Sequence, residues 1–240
     1  MFRGFKEWIK FRVQNNYTLY WVYKKLIKGQ GKLLVNRDTD IVIEGFGGSG
    51  NTFALRAFMH PQILPYDVTH HTHTTSQLHY AVRNEIPIIL LSRNPTDAVI
   101  SLVSRGLVGN RKHDMSAERI RLEAKILLER YKKYHNCIKG YKDQMVVADF
   151  DDAMSDFGSV VQKINKRYNR EFLLFNNNEE NLAYIRKRQK IAKPGTKRAV
   201  DKDFVEKILS ESEFLPLIDE CAELYRYFIK SNVVDNLHKG

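Results

Sequence analysis

Between the apolar run Ile41-Val42-Ile43 and the segment Phe53-Ala54-Leu55-Arg56-Ala57-Phe58 stand eight residues, Gly45-Phe46-Gly47-Gly48-Ser49-Gly50-Asn51-Thr52, four of them glycine. Strand, glycine loop and helix in that order make a phosphate cradle: glycines let backbone N–H groups turn inward at the positive end of a helix. Ser49, Asn51 and Thr52 stand where side-chain donors can be added. The spacing fits G-x4-G-K-[ST] except that Asn51 fills the lysine slot. The next apolar run, Ile86-Pro87-Ile88-Ile89-Leu90-Leu91, ends in Ser92-Arg93 and not in an acid that would hold magnesium. Metal-dependent triphosphate hydrolysis is therefore disfavoured, and a phosphorylated ligand needing no metal is expected. A glycine-rich turn without a ligand is the bland alternative.

The segment Arg93-Asn94-Pro95-Thr96-Asp97-Ala98-Val99-Ile100-Ser101 puts an arginine at a strand's end and a serine two turns into a helix. Asn94 suits the cap and Pro95 the first helical position, so Arg93 lies beside a helix N-terminus that favours anions.

Together these segments resemble the PAPS-dependent sulfotransferases, which pair a S-G-x-T loop with R-[ND]-P-x-[DE]-x-x-x-S. Here the matching residues are Ser49-Gly50-Asn51-Thr52 and Arg93 through Ser101, and the resemblance is clear from Ile41 to Arg105. It implies a three-layer, P-loop-like α/β fold with a central parallel sheet flanked by helices. It also implies that Gly47, Gly48, Ser49, Gly50, Asn51 and Thr52 hold the 5′-phosphosulfate of PAPS, while Arg93 and Ser101 grip the 3′-phosphate. The reaction implied is in-line transfer of a sulfuryl group to a hydroxyl acceptor, with PAP as product and no metal. The family's breadth and the chain's basic charge point to a carbohydrate or other small molecule as acceptor. Many members carry a lysine or arginine just before the S-G-x-T serine, where this chain has Gly48. Arg56 and the cluster Lys187, Arg188, Lys190, Lys193, Lys197 and Arg198 are candidates to replace that cation. A late basic, glycine-containing loop closes over the 3′-phosphate in the family. Lys193, Gly195 and Lys197 of Lys193-Pro194-Gly195-Thr196-Lys197-Arg198 are carried over to that role, with a solvated basic loop as the alternative.

The run Val68-Thr69-His70-His71-Thr72-His73 reads as an extended strand with His71 and His73 on one face and His70 on the other. His71-Thr72-His73 resembles the family's K-T-H, which makes His73 the expected general base with His71 in the lysine slot. Glu44 is an alternative base. An imidazole suits proton abstraction from a hydroxyl near neutral pH. The H-x-H pattern can also supply two zinc ligands, but Cys137 and Cys221 lie far away in sequence.

The 240 residues carry a net charge of +11, which favours anionic partners, and no familiar nucleic-acid motif accompanies the charge. Two cysteines at no close spacing fit a reducing compartment, so cytoplasmic placement is the expectation. Residues 1–40 read as a basic amphipathic extension packed on a single domain spanning 41–240, with peripheral membrane contact through the extension as the alternative. Strands are expected at 41–44, 68–73, 86–92 and 145–149. Helices are expected at 51–60, 75–84, 95–105, 116–139, 157–168, near 178–190 and over 201–231. Two other readings stand beside the transferase: a P-loop nucleotide or phosphometabolite kinase, and a catalytically degenerate nucleotide-binding scaffold.

Overall fold

A computed structural model describes residues 16–27, 34–106, 116–188 and 200–230. The late basic residues Lys193, Gly195 and Lys197 lie outside the described residues. Four strands, β1 (Ile41–Gly45), β2 (Val68–His70), β3 (Ile88–Ser92) and β4 (Val146–Asp149), form one sheet in the order β2-β1-β3-β4. Every pair is parallel, with Ile43 opposite His70 and Ile89, and Leu91 opposite Ala148. All five residues of β1 and of β3 are buried, as strands covered on both faces must be.

Side-chain alternation along the strands sorts the core into two layers. Val42 and Leu90 face one layer, built with α3 (Thr75–Arg83), α4 (Pro95–Ser104), α5 (Ala117–Ile138), α9 (Lys202–Leu209) and α10 (Leu215–Ile229). Ile41, Ile43, Ile89, Leu91, Val146 and Ala148 face the other, built with α2 (Asn51–Met59), α6 (Phe150–Ser155), α7 (Phe157–Tyr168) and α8 (Glu179–Arg188). The protein is thus a three-layer α/β fold with a parallel sheet between helices. The connection from β1 to β2 carries α2 on one face, and that from β2 to β3 carries α3 on the other. The strand order therefore reverses beside β1, and in open α/β sheets such a switch point opens a crevice at the carboxyl ends of the strands.

Local sequence sets the helix boundaries. Asn94 Oδ1 accepts from Thr96 N–H at 3.0 Å with Pro95 at the first position of α4. Ser116 Oγ accepts from Arg119 N–H to start α5, whose stripe Ile120, Ala124, Leu127, Leu128, Tyr131, Tyr134 and Ile138 is buried as the spacing predicts. Asp149 accepts from Asp151 N–H and starts α6, a short helix not anticipated as an element. The single helix expected over 201–231 is two, because the chain turns at Ser210–Phe214 before Pro216 enters the first turn of α10. Arg121 clamps that turn to α5 through two 2.7 Å bonds to Glu211. The expected strand 68–73 ends early, at His70.

Ahead of the sheet, α1 (Tyr17–Val22) runs on into a π-helical turn at Tyr23–Ile27. Tyr17 stacks on Tyr80 of α3 at 4.3 Å between ring centroids and donates to the Val35 carbonyl at 2.8 Å. Among the described residues no helix is long and apolar enough to cross a membrane.

His135 of α5 is fully buried, stacked on Tyr131 at 4.0 Å, with Nδ1–H donating to the Tyr131 carbonyl. Burial lowers its pKa to about 4. The unfolded chain binds a proton there below about pH 6.5 and the folded one does not until about pH 4, so stability falls as pH drops through that window. Denaturant titrations are expected to show less acid sensitivity for His135→Phe, which keeps the aromatic contacts, by on the order of 2–3 kcal/mol at pH 4.

Candidate functional site

All four strands send chemistry to one end of the sheet. The residues following β1, β2, β3 and β4 enclose a cavity of about 580 Å³ lined by Gly47, Gly48 and 50–53 of the loop and turn, His71, His73, Arg93, the end of α4 and Phe150. The volume suits a nucleotide-sized ligand.

The glycine loop is shaped by what it touches. A Cβ on Gly45 would lie 2.4 Å from the carbonyl oxygen of Leu91, its register partner on β3. Gly48 has φ +86°, and a Cβ there would lie 2.9 Å from the carbonyl of Ala98 on α4. The slot where the resembled family carries a cation is thus closed to any side chain by conformation and by backbone contact. Gly50 caps α2 without a side chain, so the first N–H groups of α2 keep no intrahelical or cap acceptor. Asn51 Nδ2 reaches back to the carbonyls of Phe46 and Gly45 at 3.4 and 3.5 Å and braces the loop from within. Ser49 is 1% exposed, its N–H bonds to the Phe46 carbonyl, and its hydroxyl is buried without a partner. The structure therefore places Gly47, Gly48, Gly50, Asn51 and Thr52 on the cavity wall, while Ser49 turns its side chain inward.

Across the cavity, Arg93 Nη1 donates to the Gly48 carbonyl at 2.9 Å, and its guanidinium lies 4.0 Å over the Phe150 ring. Its Nε is buried and unpartnered. Tyr131 fixes the backbone by donating to the Arg93 carbonyl at 2.9 Å. Ser101 lies on the same wall with Arg105, which donates through Nη2 to Ser101 Oγ at 2.9 Å and through Nε to its carbonyl at 2.8 Å. Sequence reasoning passed over Arg105 and Phe150. The first was signalled by its spacing four residues beyond Ser101 on one helix face. The second stands directly after β4 and its sequence carries no signal for a place in the cavity wall. Two arginines and no carboxylate stand among the described lining residues, so the cavity is electropositive.

The histidine segment is the main departure from expectation. Strand alternation does not hold past His70, because His71 and His73 adopt left-handed φ of 56° and 49°. Such backbone is uncommon for non-glycine residues and must be held by its surroundings. Glu44, fully buried at the end of β1, does this: its carboxylate accepts from the N–H and hydroxyl of Thr72 and from His73 N–H at 3.1 Å. Glu44 anchors the turn and is not among the cavity-lining residues. Both histidines still reach the cavity, through the turn and not through a pleat.

His73 Nδ1 lies 2.8 Å from the Gly45 carbonyl, which can only accept, so the proton sits on Nδ1 and the Nε2 lone pair is left for another donor. His71 Nε2 meets Thr52 Oγ1 at 2.9 Å, and its Nδ1 meets His70 Nδ1 at 2.7 Å. Burial, then the neighbouring His70 and His73, lower the pKa of His71 to about 4. Arg56, a candidate replacement cation, turns to the Ile185 carbonyl at 3.4 Å, and neither it nor Lys187 lines the cavity. Among the described residues no group of three or more His, Cys, Asp or Glu is arranged to hold a metal ion.

No family model, curated protein or solved structure matches this chain.

Gly48→Lys, which would restore the family's cation on paper, is expected to lower stability by about 1–3 kcal/mol in urea unfolding, because the residue must hold positive φ against the Ala98 carbonyl.

Proposed function

We propose that the chain is a sulfuryl transferase that takes PAPS as donor and a hydroxyl compound, carbohydrate or other small molecule, as acceptor. The observation that carries this reading is the meeting, in one electropositive cavity, of the uncapped start of α2, the Arg93–Ser101 wall and an imidazole whose Nε2 is free to accept. Backbone N–H groups from Gly50 into the first turn of α2 would hold the 5′-phosphosulfate, with Thr52. Arg93, Ser101 and Arg105 would hold the 3′-phosphate. That 3′-phosphate separates this donor from ATP, and a guanidinium beside a serine hydroxyl is suited to it.

In the reaction, His73 Nε2 takes the proton of the acceptor hydroxyl as its oxygen bonds to sulfur. The bond from sulfur to the bridging oxygen breaks in line, and PAP leaves with the electron pair. His73 Nδ1–H on the Gly45 carbonyl keeps the ring oriented through the proton transfer. No carboxylate among the described lining residues stands ready to hold magnesium, and Asn51 occupies the slot of the triphosphatase lysine, which weighs against the kinase reading. A non-catalytic nucleotide-binding scaffold is the second reading, favoured by one observation: Gly48 admits no cation at the leaving group.

Calorimetry with PAP, ADP and ATP in the absence of magnesium tests this. PAP is expected to bind best, and Arg93→Ala to weaken PAP by about ten- to a hundredfold while changing ADP little. Equal binding, or a preference for ATP, would sink the reading. PAP binding without transfer of labelled sulfate to any hydroxyl acceptor would favour the scaffold.

A further inference from the structure

Gly48 carries no cation at the cradle, and two imidazoles stand beside it on β2 and the turn after it. His70 and His71 face each other nearly edge to face, with ring centroids 4.9 Å apart and Nδ1 atoms 2.7 Å apart. One proton stands between those nitrogens, since two N–H groups would collide and two lone pairs would repel. On its far side His71 Nε2 lies 2.9 Å from Thr52 Oγ1, and Thr52 is on the cavity wall at the second position of α2.

A neutral pair holds two ring protons, one shared between the Nδ1 atoms and one on a single Nε2. The other Nε2 is bare. Adding one proton from solvent fills it without breaking either hydrogen bond: the shared proton stays, and both Nε2 atoms carry hydrogen. His71 Nε2–H then has to donate to Thr52 Oγ1, and the hydroxyl hydrogen of Thr52 is turned out toward the cavity. One proton thus adds a positive charge beside the cradle and, from the tautomer in which the bare Nε2 is that of His71, converts Thr52 into a donor for the anion.

We propose that the His70–His71 pair takes up one proton when an oxyanion enters the cradle, and so supplies the charge that Gly48 cannot carry. The proposal rests on the part of the reading above that places an oxyanion at the start of α2, and not on the identity of the nucleotide or on transfer.

The groups facing the pair set the balance. Glu44 favours the charged form of His71, while His73, 5.8 Å away between ring centroids, and Arg56 oppose it. His73 also opposes charge on His70, and Arg93 and Arg105 stand on the walls of the same cavity. Burial first, and then the neighbouring imidazoles, disfavour the charged form of the pair in the free protein. A doubly charged anion brought against Thr52 favours the charged form of the pair.

Isothermal calorimetry with sodium sulfate in two buffers of different ionisation enthalpy tests this between pH 6.5 and 7.5, where sulfate itself does not titrate. Wild-type protein is expected to take up a fraction of a proton per sulfate that grows as pH falls toward 6.5, with binding tightening in step. His70→Phe and His71→Phe are expected to lose the uptake, and His73→Gln to keep it. Nitrogen-15 spectra of the wild-type imidazoles give an independent readout that no misfolded variant can confuse: sulfate is expected to leave both Nε2 atoms protonated. Sulfate binding without uptake, uptake that survives in both phenylalanine variants, neutral imidazole shifts in the complex, or no sulfate binding at all would each overturn the proposal. Failure of PAP to outcompete ADP leaves proton uptake on sulfate intact, so the two readings fail separately.

Discussion

Backbone-to-backbone contact between the glycine loop and the β3–α4 segment is the constraint on which the site depends. Gly45 lies against the Leu91 carbonyl and Gly48 against that of Ala98, so the loop is pressed onto its neighbours with no side chain between. Arg93 closes the contact by donating to the Gly48 carbonyl. Because β1 and β3 are adjacent and parallel, their ends stop at the same level, and the loop after one meets the arginine after the other. The same closeness that builds the cavity removes the possibility of a lysine at Gly48, so shape and charge are in conflict at that point.

A buried carboxylate shapes the turn that follows the neighbouring strand. Glu44 points into the layer containing Val42 and Leu90, and being fully buried its carboxylate must be satisfied. The Thr72 and His73 donors satisfy it only if the chain turns sharply after His70, which forces left-handed backbone at His71 and His73. That turn aims His73 Nδ1 at the Gly45 carbonyl and His71 at Thr52. A single buried carboxylate therefore holds the turn that carries two imidazoles to the cradle.

The strands, most helices and the parallel three-layer arrangement were legible in the sequence because they rest on local signals: apolar runs, the Asn94-Pro95 start, and the helical stripe from Ile120 to Ile138. The cavity's main walls were legible for the same reason, since Gly47–Thr52 and Arg93–Ser101 carry their own spacing. What was not legible depends on contacts between distant segments. The turn at His71 is dictated by Glu44, nearly thirty residues earlier, and alternation gave the right side of the strand for the wrong reason. The inward turn of Ser49 and the bracing by Asn51 follow from loop curvature. Phe150 becomes a cavity wall only when β4 is set beside β3 and its ring reaches Arg93.

The most direct measurement is a crystal structure of the protein with PAP bound. The account predicts the 5′-phosphate within hydrogen-bonding distance of the N–H groups from Gly50 into the first turn of α2, and the 3′-phosphate against Arg93 and Ser101. A nucleotide bound in the reverse sense, or outside the cavity formed by the four strand ends, would contradict it.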